Sequence, residues 1–306
     1  MASPLFTFEG IYTPIITPFH KSGEINFDTL GEIIEFLIEQ GVHGLISGGS
    51  TGENYAQTVT ERLEVAKFTH QIIKNRTPLV IGTGAMLTSE SLALARGARE
   101  LGADAVLLAS PPYAVPTDRE NAINALAIDK VANLPVMLYN YPGRTGTMMG
   151  EEFLNRVGES CNFCGIKESS GDINHLHTLA RDYPHIQLGC GMDDQALEFF
   201  AWGARFWVCG GSNFLPKEHI ALYEACVLEG NFNKGRRIMS ALMPLMRTLE
   251  LGGKFVQTIK YGVTLQGMHA SAVRAPLKSL NKDEKRSLEQ ICKTLKTTIK
   301  NIIGGD

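Results

Sequence analysis

Eight short apolar runs, each followed by a segment with helical hydrophobic spacing, fill most of this chain and limit what it can fold into. The runs are Gly10–Pro14, Gly44–Ser47, Leu79–Thr83, Ala105–Ala109, Val136–Asn140, Phe163–Lys167, Ile186–Gly189 and Arg205–Cys209. They are rich in Val, Ile and Leu at consecutive positions, as strands buried on both faces of a parallel sheet must be. Between them, Phe27–Gln40 places Leu30, Ile33, Ile34, Leu37 and Ile38 on one helical face. The segments Glu61–Lys74, Ser89–Leu101, Asn121–Ala132, Glu151–Val157, Ile173–Tyr183, Asp194–Trp202 and Pro216–Glu229 behave alike. Strand–helix units of roughly 25–30 residues predict an α/β chain folded as a (β/α)8 TIM barrel. A doubly wound open sheet would also alternate strand and helix. It would carry a Gly-rich phosphate turn after its first strand, and Tyr12-Thr13-Pro14-Ile15 is not one.

After Glu229 the pattern turns wholly helical, through Asn231–Leu249, Phe255–Gln266 and Asp283–Ile302, with no Gly, Ser or Pro linker before it. We therefore expect residues 1–229 to form the catalytic barrel. Residues 230–306 would be added helices packed on it within one structural unit. Gly41 and Gly102 suit left-handed helix ends, and Thr60 and Thr88 suit helix starts.

The 306 residues carry a formal charge of −3 and 44% hydrophobic content, enough for a large core. No basic stripe points to nucleic acid. The lysines between Lys282 and Lys300 alternate with Leu and Ile as a solvated helix face would. No run is long enough to span a membrane, and Met1-Ala2-Ser3-Pro4 does not open a signal peptide. Six scattered cysteines in apolar contexts suit reduced, buried thiols, so a cytoplasmic protein is expected. The single Cys161-x-x-Cys164 lacks the second pair or helix start that zinc or redox chemistry would need.

In a barrel of this kind, chemistry belongs at the C-terminal ends of the strands. Phe163-Cys164-Gly165-Ile166-Lys167 delivers a lysine to such an end. Burial disfavours a charged amine, a cost that makes sense if the amine attacks a carbonyl to form a Schiff base. Tyr139, one strand away, offers a phenol for proton transfer, and Tyr113 after Pro111-Pro112 could extend the relay. Ser47-Gly48-Gly49-Ser50-Thr51-Gly52-Glu53 offers backbone N–H groups and hydroxyls for a small carboxylate. Taken alone, the loop reads more simply as a structural turn. Arg144, in Tyr141-Pro142-Gly143-Arg144, could pair with a second anionic group. His175 and His177 do not share a helix face and have no obvious third ligand, so no metal site is expected. Asp193-Asp194 reads as a helix cap, and Gly210-Gly211 as a phosphate loop or as room for a small substrate.

Three ordered motifs resemble the dihydrodipicolinate synthase / N-acetylneuraminate lyase family. They are Ser50-Thr51-Gly52-Glu53, Tyr139-Asn140-Tyr141-Pro142-Gly143-Arg144-Thr145-Gly146, and Gly165-Ile166-Lys167-Glu168-Ser169-Ser170-Gly171-Asp172. The similarity runs from about Gly10 to beyond Gly211. It implies a Schiff-base lyase acting on pyruvate or a related 2-oxo acid, with no metal or organic cofactor. Lys167 would be the imine lysine, Tyr139 the proton-transfer tyrosine, and Ser50 and Thr51 the carboxylate-binding pair. Tyr113 would be the relay tyrosine that crosses from a neighbouring subunit. Arg144 would receive a distal carboxylate, and Val208 would line the pyruvate pocket. A homotetramer, built as a dimer of dimers, is implied too.

The resemblance leaves the second substrate open. One reading is a synthase condensing pyruvate with aspartate semialdehyde. The other is a catabolic paralog, such as a 2-keto-3-deoxy sugar acid aldolase or dehydratase, or a hydroxyproline-pathway deaminase. Arg144 favours the first. Ser50, Pro112 and the segment Lys254–Gly262 depart from the synthase pattern and favour the second. Pro112, Val59 and Met86 also depart where lysine-inhibited members bind lysine, so weak or absent inhibition is expected. A non-catalytic scaffold and a metal-dependent aldolase are the remaining alternatives.

Overall fold

The computed structural model describes residues 6–304. The chain alternates β1 (Gly10–Pro14), α1 (Phe27–Glu39), β2 (Gly44–Ser47), α2 (Val59–Ile73), β3 (Leu79–Gly82), α3 (Thr88–Leu101), β4 (Ala105–Ala109) and α4 (Asp118–Ala132). It continues through β5 (Val136–Asn140), a short turn of helix α5 (Pro142–Thr145), α6 (Glu151–Val157), β6 (Phe163–Glu168), α7 (Ile173–Asp182), β7 (Gln187–Cys190), α8 (Ala196–Ala201), β8 (Phe206–Val208) and α9 (Pro216–Tyr223). The eight strands are parallel and close in chain order, β1 pairing with both β2 and β8. The predicted (β/α)8 barrel is what forms. Three further helices, α10 (Phe232–Leu251), α11 (Phe255–Thr264) and α12 (Lys282–Ile303), pack against α9, the β7–α8 region and one another.

The strands are apolar throughout because they face two dry compartments. Ile11, Leu45, Ile81, Val106, Leu138, Ile166 and Trp207 point outward into the layer under the helices. Tyr12, Ile46, Val80, Leu107, Met137, Tyr139, Phe206 and Val208 fill the barrel itself. The two sets alternate along each strand, as a pleated backbone requires. Glycine makes room for the largest inward rings. A Cβ on Gly189 would stand 2.0 Å from the Phe206 ring, and one on Gly44 would stand 2.2 Å from Tyr12.

The closing seam between β1 and β8 is fastened at its C-terminal end. Asn213 donates from Nδ2 to Pro14 O and Gly210 O, both at 3.0 Å, and its Oδ1 accepts from Ile16 N at 3.2 Å. The hydroxyls of Thr13 and Ser212 meet at 2.7 Å.

Most strand and helix ends lie within a residue or two of expectation, but α4 begins three residues before Asn121 and α9 gives way to a π-turn over Glu224–Leu228. β6 runs one residue past Lys167, β7 starts at Gln187, and β8 is shorter than expected at both ends. Gly41 and Gly102 do take left-handed conformations, with φ of 82° and 75°. Thr60 does not start α2. Thr58 does, in a reciprocal box: its Oγ1 accepts from Glu61 N, and Glu61 Oε2 accepts from Thr58 N at 2.8 Å. Thr88 does open α3, although its side chain caps nothing and donates to Asn124 Oδ1 across to α4 at 2.8 Å.

Among the described residues, no helix is long and apolar enough to cross a membrane. All six cysteines are free, and only Cys161 is exposed.

Candidate active site

The site is organised by a one-residue irregularity in β6. Val136 pairs with Phe163, but Met137 pairs with Gly165, so Cys164 is an extra residue on one side of the ladder. Beyond this bulge Leu138 faces Ile166, and Tyr139 faces Lys167. Without it Tyr139 would stand opposite Ile166 and Lys167 would turn outward, because side chains alternate with a period of two. The bulge therefore places a lysine and a tyrosine side by side on the inner surface near the C-terminal rim.

Lys167 is 7% exposed and Tyr139 9% exposed. The Lys167 ammonium lies over the Tyr139 ring, 3.9 Å from its centroid. A cation at that distance is held by the ring face. Tyr141 stacks obliquely on Tyr139 at 5.8 Å, and Val208 lies in the same inner cluster as Tyr139. Lys167 and Tyr139 are thus brought together at the barrel mouth, and Val208 ends β8 in the same barrel core.

Immediately beyond this pair, the outward-facing neighbours form a polar clamp. Asn140 Nδ2 donates to Glu168 Oε2 at 2.7 Å. The Asn140 Oδ1 accepts from Met149 N at 3.0 Å. The other Glu168 oxygen accepts from Ser170 N at 2.6 Å. His175, from α7, sets Nδ1 2.9 Å from Glu168 Oε2. Burial opposes charge on His175, but the Glu168 hydrogen bond and negative charge outweigh it and raise its pKa. His175 is therefore part of the scaffold of β5 and β6. His177 stacks on Trp202, with ring centroids 4.2 Å apart. Among the described residues, no group of three or more His, Cys, Asp or Glu could hold a metal ion.

After β2 the chain makes a 3₁₀ turn, Ser50–Gly52, with Thr51 buried and Ser50 half-buried. The glycines here answer to protein packing. Gly48 sits at φ 74°, and a Cβ on Gly52 would stand 2.9 Å from Ile15 O. Arg62 is buried beneath this loop and donates to Gly82 O at 2.7 Å, Gly84 O at 2.9 Å and Gly48 O at 3.4 Å. Burial lowers its pKa to about 10, which leaves it charged at neutral pH.

Two expectations need correction. Asp193 does not cap a helix. It is buried, accepting from Trp207 Nε1 at 2.8 Å and from Gly210 N at 3.1 Å, and so straps the end of β7 to β8. Its own N–H donates to Glu250 Oε1 of α10 at 3.3 Å. Burial raises both carboxyls, the Asp193 charge raises Glu250 further, and the nearby Lys167 charge lowers both. Gly210 and Gly211 make room for protein. Added Cβ atoms would stand 2.6 Å from the Phe255 ring and 2.5 Å from His219 Nε2.

The remaining candidates lie at the rim. Arg144 is exposed on α5, its guanidinium 5.9 Å from the Tyr141 ring centroid. Tyr113 is 88% exposed and has a left-handed backbone at φ 69°, as has the exposed Val115 beside it at φ 47°. Within one chain Tyr113 stands out in solvent, away from the buried pair. Sequence reasoning missed Glu168 and Arg62, weighed His175 only as a metal ligand and read Asp193 as a cap. The first lies within a motif already singled out, but its role depends on strand pairing that only the fold reveals.

The family model for the dihydrodipicolinate synthetase family matches residues 7–295. The 4-hydroxy-tetrahydrodipicolinate synthase of Methanocaldococcus jannaschii is 32% identical over 293 residues, covering 94% of this chain and 99% of that one. The solved 4-hydroxy-tetrahydrodipicolinate synthase of Methylacidiphilum fumariolicum SolV superposes with a TM-score of 0.91 at 30% identity, covering 97% and 99% of the two chains. The dihydrodipicolinate synthase of Acinetobacter baumannii, solved with pyruvate, gives a TM-score of 0.88 at 28% identity and covers 95% and 99%. With its closed barrel, its paired lysine and tyrosine and these whole-length similarities, the chain belongs to the dihydrodipicolinate synthetase family.

Proposed function

We propose that this protein is a Schiff-base-forming lyase of the 4-hydroxy-tetrahydrodipicolinate synthase type, joining pyruvate to aspartate semialdehyde. The observation that carries this reading is the register of Tyr139 against Lys167, which sets a buried amine against a phenol at the mouth of the barrel. The neutral Lys167 amine attacks the pyruvate ketone. Tyr139 shuttles protons as the carbinolamine loses water and the iminium forms. The iminium withdraws electrons, so a methyl proton leaves and an enamine results. The enamine carbon attacks the aldehyde, and water then releases the product and regenerates the amine. Ser50 and Thr51 hold the pyruvate carboxylate, Val208 lines the pocket, and Arg144 receives the carboxylate of the aldehyde. No metal or organic cofactor takes part, so chelators leave the rate unchanged.

Arg144 lies on the exposed turn after β5. The catabolic reading keeps the same imine on a larger 2-oxo acid, and the departures at Ser50 and Pro112 favour it.

The working protein is a cytoplasmic homotetramer, a dimer of dimers. The exposed Tyr113 and Val115 would be covered by a second subunit, and the free thiols suit a reducing compartment. Lysine inhibits weakly or not at all.

The test is borohydride reduction with pyruvate, followed by intact mass and peptide mapping. A stable adduct on Lys167, absent from Lys167→Ala, is expected. The lack of any adduct with pyruvate or longer 2-oxo acids would overturn the mechanism.

A further inference from the structure

Behind the Ser50–Gly52 turn, Glu53 and Lys260 form an ion pair in which both side chains are wholly buried. Glu53 is part of the turn. Its backbone is left-handed at φ 58°, and its N–H donates back to Ser50 O at 3.0 Å. Whatever holds the Glu53 carboxylate therefore also holds Ser50 and Thr51. The holding groups come from the C-terminal part of the chain. Lys260 lies on α11 and also donates to Ala272 O at 2.7 Å. Arg274 N donates to the second Glu53 oxygen at 3.1 Å. The Lys260 ammonium and the Arg274 guanidinium lie 4.2 and 4.4 Å from the centroid of the same Phe19 ring. Burial lowers the Lys260 pKa to about 8, with the Glu53 charge opposing the fall, so the ammonium keeps its charge at neutral pH.

A wholly buried ion pair is a weak source of stability, because desolvation cancels much of the attraction. Its strength is direction: a carboxylate held between an ammonium and a backbone N–H has little freedom to move. The turn it fixes is the one read above as the pyruvate carboxylate site, and the inference rests on that reading. We propose that Lys260 is a positioning residue which, through Glu53, aims Ser50 and Thr51 at the substrate carboxylate, so that the C-terminal helices set the affinity for pyruvate.

The experiment titrates pyruvate in the borohydride trapping of Lys167, using the full chain. The variant is the double change Lys260→Met with Glu53→Gln, which removes both charges and leaves no buried ion alone. A second double variant, Lys260→Gln with Glu53→Gln, pairs two amides and serves if the first does not fold. The expected result is a rise of at least tenfold in the half-saturating pyruvate concentration, with the same extent of labelling at saturation. Half-saturation within twofold of wild type, with only a lower melting temperature, would reduce the pair to a structural strut and overturn the proposal. A wild-type protein that traps no pyruvate would instead overturn the reading of the site, and the proposal with it.

Discussion

Asn140 donates to Glu168 across 2.7 Å, and this one bond joins the residue after Tyr139 to the residue after Lys167. The reacting pair faces into the barrel, and its clamp faces out. Asn140→Ala removes the donor, leaving a buried carboxylate one hydrogen bond short, at a cost of about 1–3 kcal/mol. We expect a lower urea midpoint at unchanged slope. The pyruvate imine should also form about tenfold more slowly, because the two strand ends are freed to shift. Trapping at the wild-type rate would show that the clamp does not position the pair.

The same clamp has a pH signature. The folded pKa of His175 is raised, since the hydrogen bond and charge of Glu168 outweigh burial. A raised folded pKa means stability that is fully present below the unfolded value of about 6.5. That stability is lost as pH rises through the folded value. Melting temperature in wild type should therefore decline across that window by more than in His175→Gln. Parallel profiles for the two proteins would mean that the imidazolium contributes nothing.

Arg62 binds three carbonyls of two neighbouring loops, at Gly48, Gly82 and Gly84. A planar guanidinium reaches them together, and a compact ammonium does not. Arg62→Lys should lose about 1–3 kcal/mol of stability, the scale of stranding buried polar groups. Chemical denaturation checks it, and a midpoint equal to wild type would mean that the loop re-forms its bonds without the fork.

The barrel was legible in the sequence because burial on both faces demands continuous apolar strands, and Ile11, Leu45, Ile81 and Val106 display that demand directly. Lys167, Tyr139 and the Ser50-Thr51 turn stood out because each lies at or just past the C-terminal end of such a strand. What could not be read were features set by pairing between distant segments. Nothing in Phe163-Cys164-Gly165 announces a bulge, yet the bulge decides which way Lys167 points. Asp193 looked like a helix cap because caps and straps use the same residue, and only the nearby Trp207 Nε1 distinguishes them. Thr60 suits a helix start only by its adjacency to Glu61, whereas a capping box needs a spacing of three, which Thr58 provides.

Arg144 separates the two halves of the proposed reaction. Pyruvate needs only the imine lysine, the tyrosine and the turn after β2, so Arg144→Ala should still give the borohydride adduct on Lys167. Aspartate semialdehyde brings a second carboxylate to the barrel mouth. Arg144 is exposed beside Tyr141 and free to form a bidentate pair with it. A charged hydrogen bond is worth about 1.5–3 kcal/mol, which corresponds to roughly a 10- to 150-fold loss in kcat/KM for that substrate. An aldehyde without a carboxylate should lose almost nothing in the same variant. Equal losses with both aldehydes would place Arg144 outside the distal carboxylate site and move weight to the catabolic reading, in which the second partner carries no such group.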